Sequence, residues 1–226
     1  MVKRKINIAL DGPSGSGKST LAKNLARELG FVYIDTGALY RTIGLFVAEH
    51  GFEPGDAAGA VSVLEHTRIS MRLIDGGGKV FLGAREIGGE IRTPEISRYA
   101  SEVSKVPEVR EFLLETQRGI ARENDVVMDG RDIGTVILPE AQVKIFVTAS
   151  PEARAERRYK ELVEKGEKTT YEEVLADMIW RDKNDSSRDI APCVPAKDAV
   201  VLDNSRLGIK ETVDAALEIY YGKVKA

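Results

Sequence analysis

Residues 6–30 read INIALDGPSGSGKSTLAKNLARELG, and this stretch decides the fold. Ile6 to Leu10 is a short apolar run rich in branched residues, the pattern of a strand buried on both faces. Gly12-Pro13-Ser14-Gly15-Ser16-Gly17-Lys18-Ser19 fits G-x-x-x-x-G-K-[ST]. Leu21, Ala22, Leu25, Ala26 and Leu29 then recur at helical spacing, and Gly30 stands where a helix stops. Strand, glycine loop and helix in that order make a phosphate cradle: glycines let backbone N–H groups turn inward, and the helix start adds its positive dipole. The expected donor-binding segment is Gly12 to Ser19 together with Thr20, with Lys18 neutralising β and γ phosphates and the Ser19 hydroxyl ligating Mg²⁺. The competing reading is a glycine-rich turn with a solvated lysine. A dinucleotide fingerprint does not fit, because Gly12, Gly15 and Gly17 lack its spacing.

Working outward, Phe31 to Ile34, Val126 to Met128, Val143 to Val147 and Ala199 to Leu202 read as further strands, separated by helical patterns. Five such strands predict an α/β fold with a parallel sheet and helices on both faces. Thr36 is the expected N-cap of a helix carrying Leu39, Ile43, Phe46 and Val47 on one face and ending near Gly51. Between about residues 62 and 104 the rhythm changes: Ile69, Met71 and Leu73 alternate, Asp75 to Gly78 is turn-like, and Val80 to Leu82 returns. This predicts a small antiparallel insertion outside the parallel sheet. Pro107 and Pro151 each open a helix, Thr170 with Glu173 forms a capping box, and Val213, Ala216, Leu217 and Tyr220 mark a final amphipathic helix.

Composition narrows the class. The 226 residues are 42% hydrophobic and 31% charged, which describes one globular domain and excludes disordered and collagen-like chains. Lys3-Arg4-Lys5 precedes too short an apolar run for a signal peptide, and no run is long enough for a membrane span, so neither is expected. With 33 basic against 36 acidic residues there is no general field for nucleic acid. One cysteine, Cys193, and the scattered His50 and His66 offer no disulfide framework and no metal cluster, and the expected setting is the reducing cytoplasm.

A phosphate loop alone does not separate switch, hydrolase and kinase. The guanine-reading N-K-x-D pattern is absent, and the D-x-x-G strings at Asp56 and Asp75 lie in loop-like segments. Asp129 closes the Val126 to Met128 strand, where it could hold a Mg²⁺-bound water or simply start a turn. Arg41, Arg131, Arg181 and Arg188 fall at loop ends of the same sheet; hydrolysis needs one arginine, and several suit a second phosphate-bearing substrate. Arg181, Asp185 and Arg188, at spacings of four and seven, are expected on one helical face, either as a binding face or as a solvated salt-bridged one. Arg154, Arg157 and Arg158, followed by Lys/Glu-rich chain, read as a mobile lid over the triphosphate or as an exposed charged helix.

Asp35-Thr36-Gly37-Ala38-Leu39-Tyr40-Arg41, Asp129-Gly130-Arg131-Asp132-Ile133-Gly134-Thr135 and Arg181-Asp182-x-x-Asp185-x-x-Arg188, in this order, resemble the bacterial cytidylate kinases over essentially the whole chain. That resemblance implies a P-loop fold divided into a core (1–35, 105–150 and 170–226), a nucleoside-monophosphate-binding part (36–104, with the insertion at 62–104) and a lid at about 154–169. It implies ATP as donor with Mg²⁺, CMP and dCMP as acceptors, no nucleic-acid or membrane partner, and a monomer. Carried over residue by residue, Arg41, Arg131, Arg181 and Arg188 would hold phosphoryl groups, and Asp185 the pentose hydroxyl. Thr36 supplies the hydroxyl where this motif also accepts Ser. Ser101, Arg110 and Asp132 would read the cytosine ring, an assignment that for Ser101 and Arg110 rests on the resemblance alone. Cytosine offers an N4 donor beside N3 and O2 acceptors, so a carboxylate plus a guanidinium complements it and penalises uracil. The same fold could serve another acceptor such as UMP or shikimate, and a nucleotide-binding regulatory module is the reading from a different class.

Overall fold

The computed structural model describes residues 5–164 and 166–225; Lys3, Arg4 and Lys165, the last within the expected lid, lie outside the described residues. In chain order the elements are β1 (Asn7–Asp11), α1 (Lys18–Leu29), β2 (Val32–Asp35), α2 (Thr36–Glu49), α3 (Ala57–Leu64), β3 (Ile69–Ile74), β4 (Gly77–Leu82) and β5 (Arg85–Glu86). There follow α4 (Pro94–Val103), α5 (Pro107–Glu123), β6 (Val126–Asp129), β7 (Val143–Thr148), α6 (Pro151–Glu164), α7 (Tyr171–Ser186), β8 (Val200–Asp203) and α8 (Ile209–Val224). They form two compact units, one built on Gly30–Val126, the other on Ile6–Leu29 with the chain from Val127 onward.

The second unit carries four strands in the order β6-β1-β7-β8. β7 runs parallel to β1, with Ile8 opposite Val143 and Asp11 opposite Phe146, and parallel to β8 on its other side. Ile8, Leu10, Val143, Ile145 and Val147 are all buried, as expected of strands covered on both faces, each burial worth about 1.5–3 kcal/mol. At the end of β1 the chain must leave the sheet at once. Gly12 has φ 143°, and a Cβ there would stand 2.0 Å from the Val147 carbonyl oxygen, so only glycine lets β1 enter the loop beside β7.

The first unit packs α2, α3, α4 and α5 around Leu39, Ile43, Val47, Val63, Val109 and Leu113. Two expectations change here. The cap of α2 is Asp35, still extended at the end of β2, whose Oδ1 accepts from Ala38 N at 3.1 Å; Thr36 is already helical and buried. The antiparallel piece β3-β4-β5 is not separate from the parallel strands: β4 pairs with β2 in parallel, Tyr33 opposite Gly77, and Tyr33 N donates to Gly76 O at 3.2 Å. A hairpin leaves an unpaired edge, and β2 occupies it.

All five stretches read as strands are strands, each within one residue of its expected start. The Thr170–Glu173 capping box opens α7. The helix ends at Ser186, however, so Arg188 lies beyond it and not on a shared helical face. α6 covers 151–164, and Gly166, at φ 77°, follows it. Among the described residues no helix is long and apolar enough to cross a membrane.

Candidate active site

The loop Gly12–Ser19 turns through left-handed backbone at Gly15 and Gly17, φ 73° and 82°, which directs successive N–H groups to one side. Lys18 is buried, its Nζ donating to Pro13 O at 2.7 Å and to Ser16 Oγ at 3.3 Å. Burial first, and then the Arg131 charge, pull its pKa down to about 7; Asp129 and Asp11 act in the opposite direction. Such an ammonium is compensated only in part, and a phosphate would complete the compensation. Ser19 Oγ donates to Asp129 Oδ2 at 2.6 Å, so the expected hydroxyl and carboxylate stand together.

The loop is braced from behind by groups whose sequence context gave no such role. Arg154 is 2% exposed; its Nε donates to Ala149 O at 2.9 Å, and Nη1 to Ser14 O at 2.9 Å and Asp182 Oδ1 at 3.0 Å, while Nη2 pairs with Asp182 Oδ2. It is buried here and not part of an exposed charged face. Arg157 donates to Asn204 Oδ1 and O at 3.1 and 2.7 Å, and Asn204 Nδ2 donates to Ser16 O at 2.9 Å. Of the three, only Arg158 has the surface geometry, pairing with Glu161 at 3.0 Å. Asn204 was missed, although it follows β8 at the carboxyl edge where parallel sheets place ligands.

Asp185 on α7 gathers two guanidiniums. Arg131 Nε donates to its Oδ2 at 3.1 Å and Arg188 Nη2 to its Oδ1. Arg181 is not brought into this cluster: its Nε pairs with Asp177 at 3.1 Å, one turn back, and its side chain is 42% exposed. Its neighbour Trp180 is 65% exposed. A cleft of about 410 Å³ in this unit is lined by Pro13, Arg154, Asp182, Asp185 and Cys193. Burial pushes the Cys193 thiol above its ordinary range, which suits packing and not nucleophilic work.

In the first unit, Arg41 Nη2 donates to Asp35 Oδ2 at 2.8 Å, and Arg92 reaches the same oxygen at 3.3 Å. Arg41 Nε has no hydrogen-bond partner among the described residues. Ser101 is exposed on α4 and Arg110 half-buried on α5; Ser104 links them, giving its hydroxyl to Ser101 O at 2.8 Å and accepting Arg110 Nη1 at 3.2 Å. Arg110 also lies over the Tyr40 ring, 5.7 Å from its centroid.

A glycine loop at the carboxyl end of a parallel strand, a buried lysine whose pKa burial pulls down and guanidiniums set by one carboxylate together define a P-loop phosphotransferase. A family model described as cytidylate kinase matches residues 8–221. The cytidylate kinase of Caldicellulosiruptor bescii is 48% identical over 222 residues, 98% of each chain. That of Thermosipho melanesiensis is 49% identical over 218 residues, 96% of this chain and 98% of the relative. A solved structure of an uncharacterized protein from Eubacterium ventriosum superposes with TM-score 0.53 at 14% identity, covering 99% of this chain and 100% of that one, a likeness of fold. The chain belongs to the cytidylate kinase family.

Proposed function

We propose that this chain transfers the γ-phosphoryl group of ATP to CMP and dCMP, producing ADP with CDP or dCDP. Family membership supports the acceptor class. The observation that carries the chemistry is the Arg131–Asp185–Arg188 cluster in the same unit as the phosphate loop, since one arginine serves hydrolysis and a preset pair serves a second phosphate.

In this reading the loop Gly12 to Ser19, through its backbone N–H groups outside Pro13, with Lys18 and Thr20, holds the donor. Arg41, Arg131, Arg181 and Arg188 bind phosphoryl groups, Asp185 the pentose hydroxyl, and Thr36, Ser101, Arg110 and Asp132 the rest of the acceptor. Arg154 and Arg157 act on the donor through the loop they brace, and Arg158, paired at the surface with Glu161, remains the lid residue placed to reach it. Ser19 Oγ and Asp129 Oδ2, 2.6 Å apart, are hard oxygen donors of the kind magnesium prefers, with Asp129 acting through water. Mg²⁺ bound there would neutralise charge on the β and γ phosphates. An acceptor phosphate oxygen attacks the γ phosphorus in line, the bond to the ADP oxygen breaks, and no covalent enzyme intermediate forms. The reading includes action as a monomer in the cytoplasm.

The test is ADP release with ATP and Mg²⁺ across CMP, dCMP, UMP, AMP, GMP and no acceptor. Stimulation by CMP and dCMP alone is expected; acceptor-independent hydrolysis would reduce the chain to a nucleotide hydrolase. Asp132→Ala should erode the CMP-to-UMP ratio of kcat/KM, and an unchanged ratio would show that the ring is read elsewhere.

A further inference from the structure

Asp11, the last residue of β1, has no place in the chemistry above, yet its carboxylate is 4% exposed and fully engaged. Oδ1 accepts from Ile133 N and Oδ2 from Gly134 N, both at 2.7 Å. One residue earlier, Leu10 O accepts from Gly130 N at 3.0 Å. Two consecutive β1 residues therefore pin both ends of the five-residue segment 130–134. Between the pins lie Arg131 and Asp132.

The segment needs such support. Ile133–Ile137 is a single wide turn whose internal bonds run from Val136 N and Ile137 N to Asp132 O, at 2.9 and 3.2 Å, leaving its first amides without partners inside the turn. Asp132 supplies no side-chain cap to it. A cap from 122 residues away in sequence does what a local N-cap does elsewhere. Space is equally tight: a Cβ on Gly134 would meet Lys144 Cδ at 3.1 Å and Asp11 Oδ2 at 3.3 Å. Burial raises the Asp11 pKa to about 6 against the two amides, so at pH 7.5 the group remains an anion accepting both bonds.

We propose that Asp11 is a positioning residue for acceptor selection, fixing segment 130–134 so that Asp132 and Arg131 meet the base and phosphate of the acceptor. The inference rests on the reading of Asp132 as the group that reads cytosine.

Asp11→Asn keeps the shape but faces one amide donor with another. At pH 7.5 it should raise KM for CMP about tenfold and lower the CMP-over-UMP preference by a similar factor, while KM for ATP stays within about twofold. A general structural defect would shift donor and acceptor together, and that outcome, or an unchanged preference, overturns the proposal. If Asp11→Asn fails to fold, Gly134→Ala presses on the same turn from the opposite side and should give the same split; a uniform loss overturns the proposal there too. Asp132→Ala in the same assay separates the two ideas. If it leaves the preference intact, the reading of the base falls and this inference with it. If it abolishes the preference and Asp11→Asn does not, only this inference falls.

Discussion

The polar and charged groups of the second unit and those of the first are held in opposite ways. Around the phosphate loop Lys18, Asp129, Asp132, Arg154 and Asn204 are buried, and backbone carbonyls or amides set many of their directions. In the first unit Arg41, Ser101 and Arg110 stand on helix surfaces, partly exposed, with Arg41 paired to Asp35 and Arg110 donating to Ser104 O. The phosphate-loop side is preorganised at the expense of desolvating charge; Arg41, Ser101 and Arg110 stay partly solvated.

Substitutions should break or sharpen this contrast in a definite order. Lys18→Met should reduce turnover by about a thousandfold or more, judged from charge-stabilising groups in phosphoryl transfer. It should not destabilise in proportion. With the native pKa at about 7 and the ordinary value at 10.5, the native chain binds fewer protons than the unfolded chain between those limits. Wild-type stability therefore gains with rising pH in that window, and denaturation from pH 6 to 10 should show the wild type improving relative to the variant. Arg188→Ala comes next, with kcat lower by about two to three orders of magnitude and the fold retained at some cost in Tm, because Arg131 still pairs with Asp185; near-normal kcat would remove it from the site.

The third prediction divides α6. Arg154→Met leaves Asp182 without its guanidinium and Ser14 O without its donor, and should destabilise by about 3–5 kcal/mol in urea melts. Arg158→Ala, four residues on, removes an exposed pair and should stay within about 0.5 kcal/mol. Equal effects would erase the distinction between buried brace and surface charge. The smallest change in chemistry belongs to Ser101→Ala: KM for CMP should rise several-fold, about 1 kcal/mol for one hydrogen bond, with KM for ATP unchanged.

The same contrast governs what could be read from the chain. The loop was legible because its chemistry and its backbone demand the same residues: glycines at positive φ, then Lys18 and Ser19, between an apolar strand and an amphipathic helix. Ser101 and Arg110 were visible only through the family, since a serine and an arginine on helix surfaces carry no local pattern. Arg154, Arg157 and Arg158 show the limit of spacing. At i, i+3 and i+4 they look alike, yet the first is sealed by Ser14 and Asp182, the second turns to Asn204 and the third meets water, because fit to distant partners is not encoded in the interval. Asp11 was passed over for the same reason: its partners lie more than a hundred residues away.

Trp180 gives the molecule a built-in optical gauge. It is the chain's sole indole, and it sits next to Arg181 on α7, largely bathed in solvent. Excitation at the red edge of protein absorbance thus reports on one helix, the one that also bears Asp182 and Asp185, with no dye attached. A blue shift of its emission on adding nucleotide would time the covering of that helix directly, in a stopped-flow cuvette, on the unmodified protein.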